Sequence, residues 1–263
     1  MTKLPARAGW HWIKQGWALF RKQPGALMAL FFTCMFLSMF VLLLPVLGQI
    51  LWGVLMPLLS IALLQGCAEV DQGRRALPNL LLTGLQKPMR KHLLGLGVLN
   101  FLVMALAALI LFAMAGDVME AWREAQSQAA AGVKPPNVDG LLSATLIGSA
   151  IYTTWWILSS MAAPLIFWQK MPLNKALFFS VVAVLRAIKA FISAVLIHHI
   201  LLFIGIQIIV LVLGVSQIAI AAVFTIYLVN LVLVHCTLYA AYSQIFGPPQ
   251  TTAPAVVDLN KSE

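Results

Sequence analysis

Five polar side chains that could support chemistry lie within long apolar stretches of the C-terminal half: His198, His199, Gln207, Asn230 and His235. Two or three imidazoles could bind a metal ion or relay a proton. Neighbouring residues on a helix diverge by about 100°, so only one of His198 and His199 can readily face His235. Neutral histidines that hydrogen-bond across a pair of packed helices explain the same pattern. The sequence favours this second interpretation and predicts no metal site, no cofactor and no catalytic residues.

The composition decides what kind of structure must hold these residues. Hydrophobic residues make up 62% of the 263-residue chain and charged residues only 10%, whereas a soluble domain carries roughly 25% charged residues. The apolar residues form runs of about 20, enough to cross a hydrocarbon layer of about 30 Å as helices. We therefore predict an all-α integral membrane protein with six transmembrane helices in three hairpins, each preceded by a basic amphipathic interfacial helix.

The apolar runs give the predicted boundaries. A single transmembrane domain covers residues 1–246, with an interfacial helix at 8–23 and spans at about 25–44, 50–67, 92–115, 141–167, 190–213 and 218–246. The loop 116–140 is predicted to be exported, and residues 247–263 are predicted to form a disordered cytoplasmic tail. All but two of the 17 lysines and arginines flank the spans on one side. Such a bias places both termini in the cytoplasm.

Aromatic and basic residues occupy different faces of the helix predicted before the first span. At 100° per residue, Trp10, Ile13, Trp17 and Phe20 share one face, and Arg7, Lys14, Arg21 and Lys22 share another. This pattern is typical of a helix lying in the membrane surface. Pro24 is predicted to end this helix, because proline cannot donate a backbone hydrogen bond. Eleven basic residues of this and the two later flanking segments are predicted to contact anionic headgroups: Lys14, Arg21, Lys22, Arg74, Arg75, Lys87, Arg90, Lys91, Lys175, Arg186 and Lys189. Such contacts explain the net charge of +9 without a nucleic-acid partner.

Two blocks of sequence carry a family resemblance. They are Gly9-Trp10-His11-Trp12 with the following 16–25, and Ala163-Pro164-Leu165 with Met171-Pro172, Lys175-Ala176-Leu177 and Ser180. Both resemble a family of uncharacterised proteobacterial inner-membrane proteins. That family is distantly similar to the membrane domain that accompanies some bacterial glycerophosphodiester phosphodiesterases. The resemblance implies a helical fold in the bacterial inner membrane, and it carries no catalytic residues to this chain.

Two functions from different classes fit these observations. The first is a non-enzymatic inner-membrane protein that interacts with lipids, with other membrane proteins or with itself, in membrane organisation or lipid handling. The alternative is a small-solute or ion transporter that uses the polar residues of the fifth and sixth spans. Transporters often have interrupted helices and intramembrane carboxylates. Pro57 and Pro164 interrupt two spans at different heights and without a carboxylate nearby, which favours kinks that neighbouring helices accommodate. A water-filled cavity that reaches His199 would favour transport, and a dry, close-packed bundle would favour the first function.

Overall fold

A computed structural model describes residues 4–85, 89–127 and 139–249. Within them the chain forms nine α-helices, one 3₁₀ helix and no strand. The α-helices are α1 (Arg7–Lys22), α2 (Pro24–Leu42), α3 (Leu47–Asp71), α4 (Arg90–Ser127), α5 (Asp139–Ser159), α6 (Ala162–Trp168), α7 (Leu173–Arg186), α8 (Ile188–Leu213) and α9 (Gln217–Phe246), and the 3₁₀ helix covers Pro78–Leu85. The tail beyond residue 249 lies outside the described residues.

Six helical segments are long and apolar enough to cross a membrane: Pro24–Leu42, Leu47–Asp71, Arg90–Met114, Leu142–Trp168, Ile188–Leu213 and Gln217–Phe246. They correspond to the six predicted spans. Large apolar side chains cover their outer faces, such as Leu211 on α8 and Phe112 on α4, which are 85% and 69% exposed. Such an apolar exterior requires lipid as its solvent, because exposed hydrocarbon is unfavourable in water.

Helix α4 is longer than the third predicted span. It continues as helix beyond residue 115 to Ser127, into the first half of the segment that the sequence assigns to the exported loop. The added residues include Met119, Glu120, Ala121, Glu124 and Ala125. These residue types have high helix propensity. Hydropathy marks where a helix leaves an apolar environment, and it does not mark where the helix ends.

The chain is interrupted at Gln23, between α1 and α2. The backbone of Gln23 has φ −147° and ψ 66°, and Pro24 is the first residue of α2. Proline suits this position because the first turn of a helix needs no backbone donor. The predicted interruption at Pro24 is therefore present. Helix α1 makes few contacts with α2 and packs mainly against α8 and α9.

The fourth predicted span is not one helix, because α5 ends at Ser159 and α6 begins at Ala162. Pro164 causes the break, since its ring excludes a hydrogen bond to the carbonyl of Ser160. Ser180 of α7 compensates for the interruption. Its hydroxyl accepts from the backbone N–H of Met161 at 3.1 Å and donates to the carbonyl of Leu158 at 2.6 Å. The fourth predicted span, 141–167, is therefore present as the segment Leu142–Trp168, which this break divides into two helices.

Proline has a different effect in α3, which continues as helix through Pro57. The carbonyl that loses its donor is that of Gly53, four residues earlier. It accepts a hydrogen bond from the side-chain amide of Asn100 on α4, at 3.1 Å. Nearby, the backbones of α3 and α4 approach so closely that a Cβ on Gly97 would lie 2.8 Å from the Cα of Val54. Both features fix α4 against α3.

Candidate functional site

The outward face of α1 carries a stripe of alternating basic and aromatic residues. Its members recur every three or four positions, which places them on one side of a helix. All five are exposed, and together we call them the α1 stripe: Arg7, Trp10, Lys14, Trp17 and Arg21. No carboxylate lies within this stripe, so it presents three cations and two indoles to the surroundings.

The opposite face of α1 is buried against α8 and α9. It includes Trp12, Ile13, Gly16 and Phe20. The helices come close because Gly16 has no side chain: a Cβ there would lie 2.8 Å from the backbone nitrogen of Thr237. The sequence had placed Ile13 and Phe20 on one face with the exposed tryptophans. That assignment is wrong, because close packing through glycine selects the docked face and hydrophobicity alone does not.

Specific contacts anchor α1 at its N-terminal half. The indole N–H of Trp12 donates to the side-chain oxygen of Gln244 on α9. The same ring meets Phe191 of α8 edge-on, with centroids 5.2 Å apart. At the start of the helix, the hydroxyl of Ser193 donates to the carbonyl of Ala6 at 2.7 Å. These contacts determine which way the α1 stripe faces.

A cleft of about 450 Å³ lies beneath the α1 stripe, between α8 and α9. Three exposed residues of the α1 stripe line it: Trp10, Lys14 and Trp17. The rest of the lining is mainly apolar, with the polar side chains of His198, Asn230 and Thr237 among it; its apolar members include Leu201, Leu202, Ile226, Val229 and Leu233. We call this space the α1 cleft. A cation at the mouth of an apolar cleft matches an amphiphile with an anionic head and a hydrocarbon tail.

The carboxylates closest to this end of the bundle are already paired. Lys22 contacts Asp71 at 3.3 Å, and Arg74 pairs with Glu69. These are the ion pairs of the described residues, and neither involves the α1 stripe. Lys14 forms no ion pair with another described residue, so its charge is available to an anion from outside this part of the chain.

His198 has a structural role in the described contacts. Its Nδ1 lies 3.2 Å from the side-chain oxygen of Asn230, and its Nε2 lies 3.0 Å from the hydroxyl of Thr237. An amide oxygen can only accept, so Nδ1 carries the proton and Nε2 accepts from Thr237. His198 and Asn230, which the sequence had grouped together, thus join α8 to α9.

The other predicted polar residues are not part of the hydrogen-bonded group around His198. His199 is exposed and bonds to the carbonyl of Val195 within its own helix at 2.8 Å. Together with His198 it lines a mainly apolar cavity of about 240 Å³ between α5, α8 and α9. Gln207 is also exposed, nine residues beyond His198 along α8. His235 bonds to the carbonyl of Leu231 and lines a separate cavity. Within the described ranges, no group of three or more His, Cys, Asp or Glu side chains could hold a metal ion.

The predicted surface cations outside α1 are distributed over the same end of the bundle. Six of them are exposed: Arg75, Arg90, Lys91, Lys175, Arg186 and Lys189. Arg74 is half-buried by its pairing with Glu69. Lys87 lies outside the described residues. The described basic side chains of the flanking segments are therefore exposed, except that of Arg74, which pairs with the buried carboxylate of Glu69.

A buried polar cluster at the end of α3 was missed by the sequence analysis. Gln65 donates to Glu69 at 2.8 Å and accepts from the indole of Trp168 at 2.8 Å. Glu69 in turn pairs with Arg74, whose carbonyl accepts from Gln23 at 2.9 Å. The span predicted to end at residue 67 excluded Glu69, although the spacing of four between Gln65 and Glu69 pointed to such a contact.

Comparison with known proteins identifies a relative of this chain. The chain is 29% identical, over 262 residues, to a probable inner membrane protein of Burkholderia thailandensis, and the match covers 97% of this chain and 96% of that protein. No family model matches the chain, and no solved structure matches it. With the six apolar spans, this similarity identifies a multi-pass inner membrane protein. None of these comparisons supports the resemblance to the membrane domain of phosphodiesterases.

Proposed function

We propose that this chain is a non-enzymatic inner-membrane protein that binds anionic phospholipid at the cytoplasmic surface of the membrane. One observation carries the proposal: the exposed residues Trp10, Lys14 and Trp17 all line the mainly apolar α1 cleft. Tryptophan favours the headgroup region, where its ring is apolar and its N–H is solvated. Lysine near an anionic leaflet contributes about 1 kcal/mol to binding.

The dimensions of the site favour a phospholipid over a free phosphate or an acidic protein segment. A phosphate would need only the cations of the α1 stripe, and the cleft below would stay empty. A phospholipid occupies both parts, since its phosphodiester pairs with Lys14 while an acyl chain contacts Leu202 and Val229 between α8 and α9. That chain passes from one apolar environment to another, so it binds through van der Waals packing against these side chains.

The interfacial placement of α1 is part of the same proposal, together with a threefold repeat. Three short elements pack against the longer helices: α1 against α8 and α9, the 3₁₀ helix against α2 and α3, and α7 against α5 and α6, the two parts of the fourth span. The presence of three such elements, each preceding two spans in the chain, supports the repeat. All three elements then lie at the cytoplasmic membrane surface, where a role in membrane organisation or lipid handling requires them.

The proposal of a non-enzymatic protein is supported by the two acidic residues at the C-terminal end of α3, which are both engaged in ion pairs. Glu69 and Asp71 are held by Arg74 and Lys22, and Asp71 also accepts from the hydroxyl of Tyr239 at 3.0 Å. A general base must be within reach of a proton on its substrate. Carboxylates engaged in ion pairs at the ends of α3 stabilise the junction of α1, α3 and α9 instead.

The orientation is testable by cysteine labelling. In a variant without Cys34, Cys67 and Cys236, a single cysteine at Gln126 should react with a membrane-impermeant maleimide in intact spheroplasts. A single cysteine at Gln15, exposed on α1, should react only after the membrane is disrupted, because basic flanks stay in the cytoplasm. The reverse pattern would place the α1 stripe on the outer surface and remove this function.

The lipid site is testable by charge reversal. Lys14→Glu should weaken retention of phosphatidylglycerol by the purified protein about 10-fold or more, because the change replaces attraction with repulsion. Native mass spectrometry after addition of phosphatidylglycerol or phosphatidylcholine measures the retained lipid.

The matched control is Lys175→Glu, which makes the same change of charge on α7, away from the α1 cleft. We expect it to retain phosphatidylglycerol nearly as well as the unmodified protein. An equal loss in both variants would mean that total charge governs binding and that the α1 cleft is not a site.

Transport of an uncharged solute is a second candidate function, and one observation favours it. His235 and the broken segment between α5 and α6 both border a cavity within the bundle. Interrupted helices beside a midplane cavity are typical of transporters. The residues that line this cavity include no Asp, Glu, Lys or Arg, so it offers little to an ion.

A further inference from the structure

The cavity beside His235 is separate from the α1 cleft and has a volume of about 410 Å³. Helices α3, α4, α5, α6 and α9 all contribute to its lining, so it lies inside the bundle. No charged side chain is among the residues that form its walls. Burying an unpaired charge there would be very unfavourable, so the cavity suits an uncharged ligand.

The cavity is lined by both a hydrogen-bond acceptor and a hydrogen-bond donor. His235 bonds to the carbonyl of Leu231 through Nδ1 at 2.9 Å. A carbonyl can only accept, so the neutral ring carries its proton on Nδ1 and leaves Nε2 as an acceptor. Tyr152 bonds with Asn100, whose amide also donates to the carbonyl of Gly53. When the Asn100 amide donates to the phenol oxygen, the O–H of Tyr152 is left to donate.

An acceptor and a donor in one cavity match a hydroxyl group, which does both. A ketone or ester alone would satisfy only Tyr152 and leave Nε2 of His235 without a donor. Ser60 and Thr153 add further hydroxyls to the lining. Indole rings of Trp155 and Trp156 supply much of the remaining wall. The site is therefore chemically suited to the polar end of an apolar molecule.

The cavity has a route to the surrounding lipid. Helix α5 packs against α4 and α7 but makes little contact with α8 or α9 along its described length. We call the gap between α5 and α9 the seam. Two aromatic side chains of the lining border it, Trp156 on α5 and Tyr227 on α9, and they are 38% and 46% exposed. A membrane-dissolved molecule could reach the cavity here without passing through water.

We propose that this cavity binds the hydroxyl end of an uncharged lipid alcohol, whose hydrocarbon part leaves through the seam between α5 and α9. The cavity has a volume of about 410 Å³. That is enough for a glycerol backbone or for the first units of an isoprenoid chain. Both sources share the hydroxyl that His235 and Tyr152 would bind.

The experiment uses the delipidated full-length protein and pairs of ligands that differ in the hydroxyl. Dioleoylglycerol is compared with triolein, and farnesol with farnesene, by native mass spectrometry. We expect one alcohol to be retained at one per protein and about tenfold more than its partner, as one lost hydrogen bond to a buried group predicts. The retained alcohol identifies the source. Equal retention within both pairs, or no retention, would overturn the proposal.

Variants of the two binding groups provide the second arm. His235→Leu and Tyr152→Phe should each lower retention of that alcohol about tenfold. His11→Leu is the matched control, because His11 is exposed on α1 and lines neither this cavity nor the adjoining one that His199 lines. If His235→Leu does not fold, the test depends on Tyr152→Phe, which removes only the phenol oxygen and should leave the fold intact. Unchanged retention in Tyr152→Phe would overturn the proposal. Lys14→Glu should bind the alcohol normally, which separates this site from the phospholipid site.

Discussion

Gly97→Ala should lower the free energy of unfolding by about 2–3 kcal/mol, because the added methyl group enters a backbone contact between α4 and α3. The Cβ would overlap the carbonyl oxygen of Val54 and lie 2.8 Å from its Cα. Neither atom can move without shifting the whole of α3. Alanine has the higher helix propensity, by about 1 kcal/mol, so a net loss of stability can only come from this contact.

Gly25→Ala is the control for this prediction. Gly25 also lies in a helix, but a Cβ there would meet no atom within 4 Å. We expect this variant to be as stable as the unmodified protein or slightly more stable. Both variants can be compared by equilibrium unfolding in mixed micelles. Equal stability of the two would show that α3 and α4 are not packed as closely as the structure places them.

Arg74→Leu should lower the free energy of unfolding by about 3 kcal/mol, because it leaves the carboxylate of Glu69 buried without its cation. The side chain of Glu69 is only 10% exposed, and that of Arg74 is 35% exposed. The hydrogen bond with Glu69 raises the pKa of Arg74 above its ordinary value. The guanidinium of Arg74 therefore remains the cation that faces this carboxylate.

Two further variants distinguish this mechanism from a general effect of lost charge. Glu69→Gln combined with Arg74→Leu should recover most of the lost stability, because the buried charge is then gone. Arg75→Leu removes an exposed neighbouring cation and should change stability by no more than about 0.5 kcal/mol. A failure of the double variant to recover would mean that Arg74 acts through contacts other than Glu69.

The sequence predicted the parts of the fold that hydropathy determines. Six apolar spans and the interruption at Pro24 follow from local properties, namely the length of apolar runs and the missing donor of proline. The break at residues 160–161 has an equally local cause in Pro164. It was predicted as a kink within one span because the compensating hydroxyl of Ser180 comes from another helix, and the sequence does not show which helices meet.

The candidate sites depended more on tertiary packing and were predicted less well. The basic residues of α1 were found from their spacing, but the docked face was not, because Gly16 fits a surface of α9 that only the fold creates. Glu69 was overlooked since a boundary drawn by hydropathy ended the span before it. The cavity beside His235 depends on a gap between α5 and α9, and such a gap has no counterpart in residue spacing.

In the function proposed above, anionic phospholipid occupies the α1 cleft. An experimental structure in nanodiscs that contain phosphatidylglycerol and phosphatidylcholine tests it most directly. We expect a lipid phosphate within about 4 Å of the Lys14 ammonium, the range of an ion pair, and acyl-chain density between Leu202 and Val229. A well-ordered map in which α8 and α9 close the cleft, with ordered phosphates elsewhere, would contradict the account.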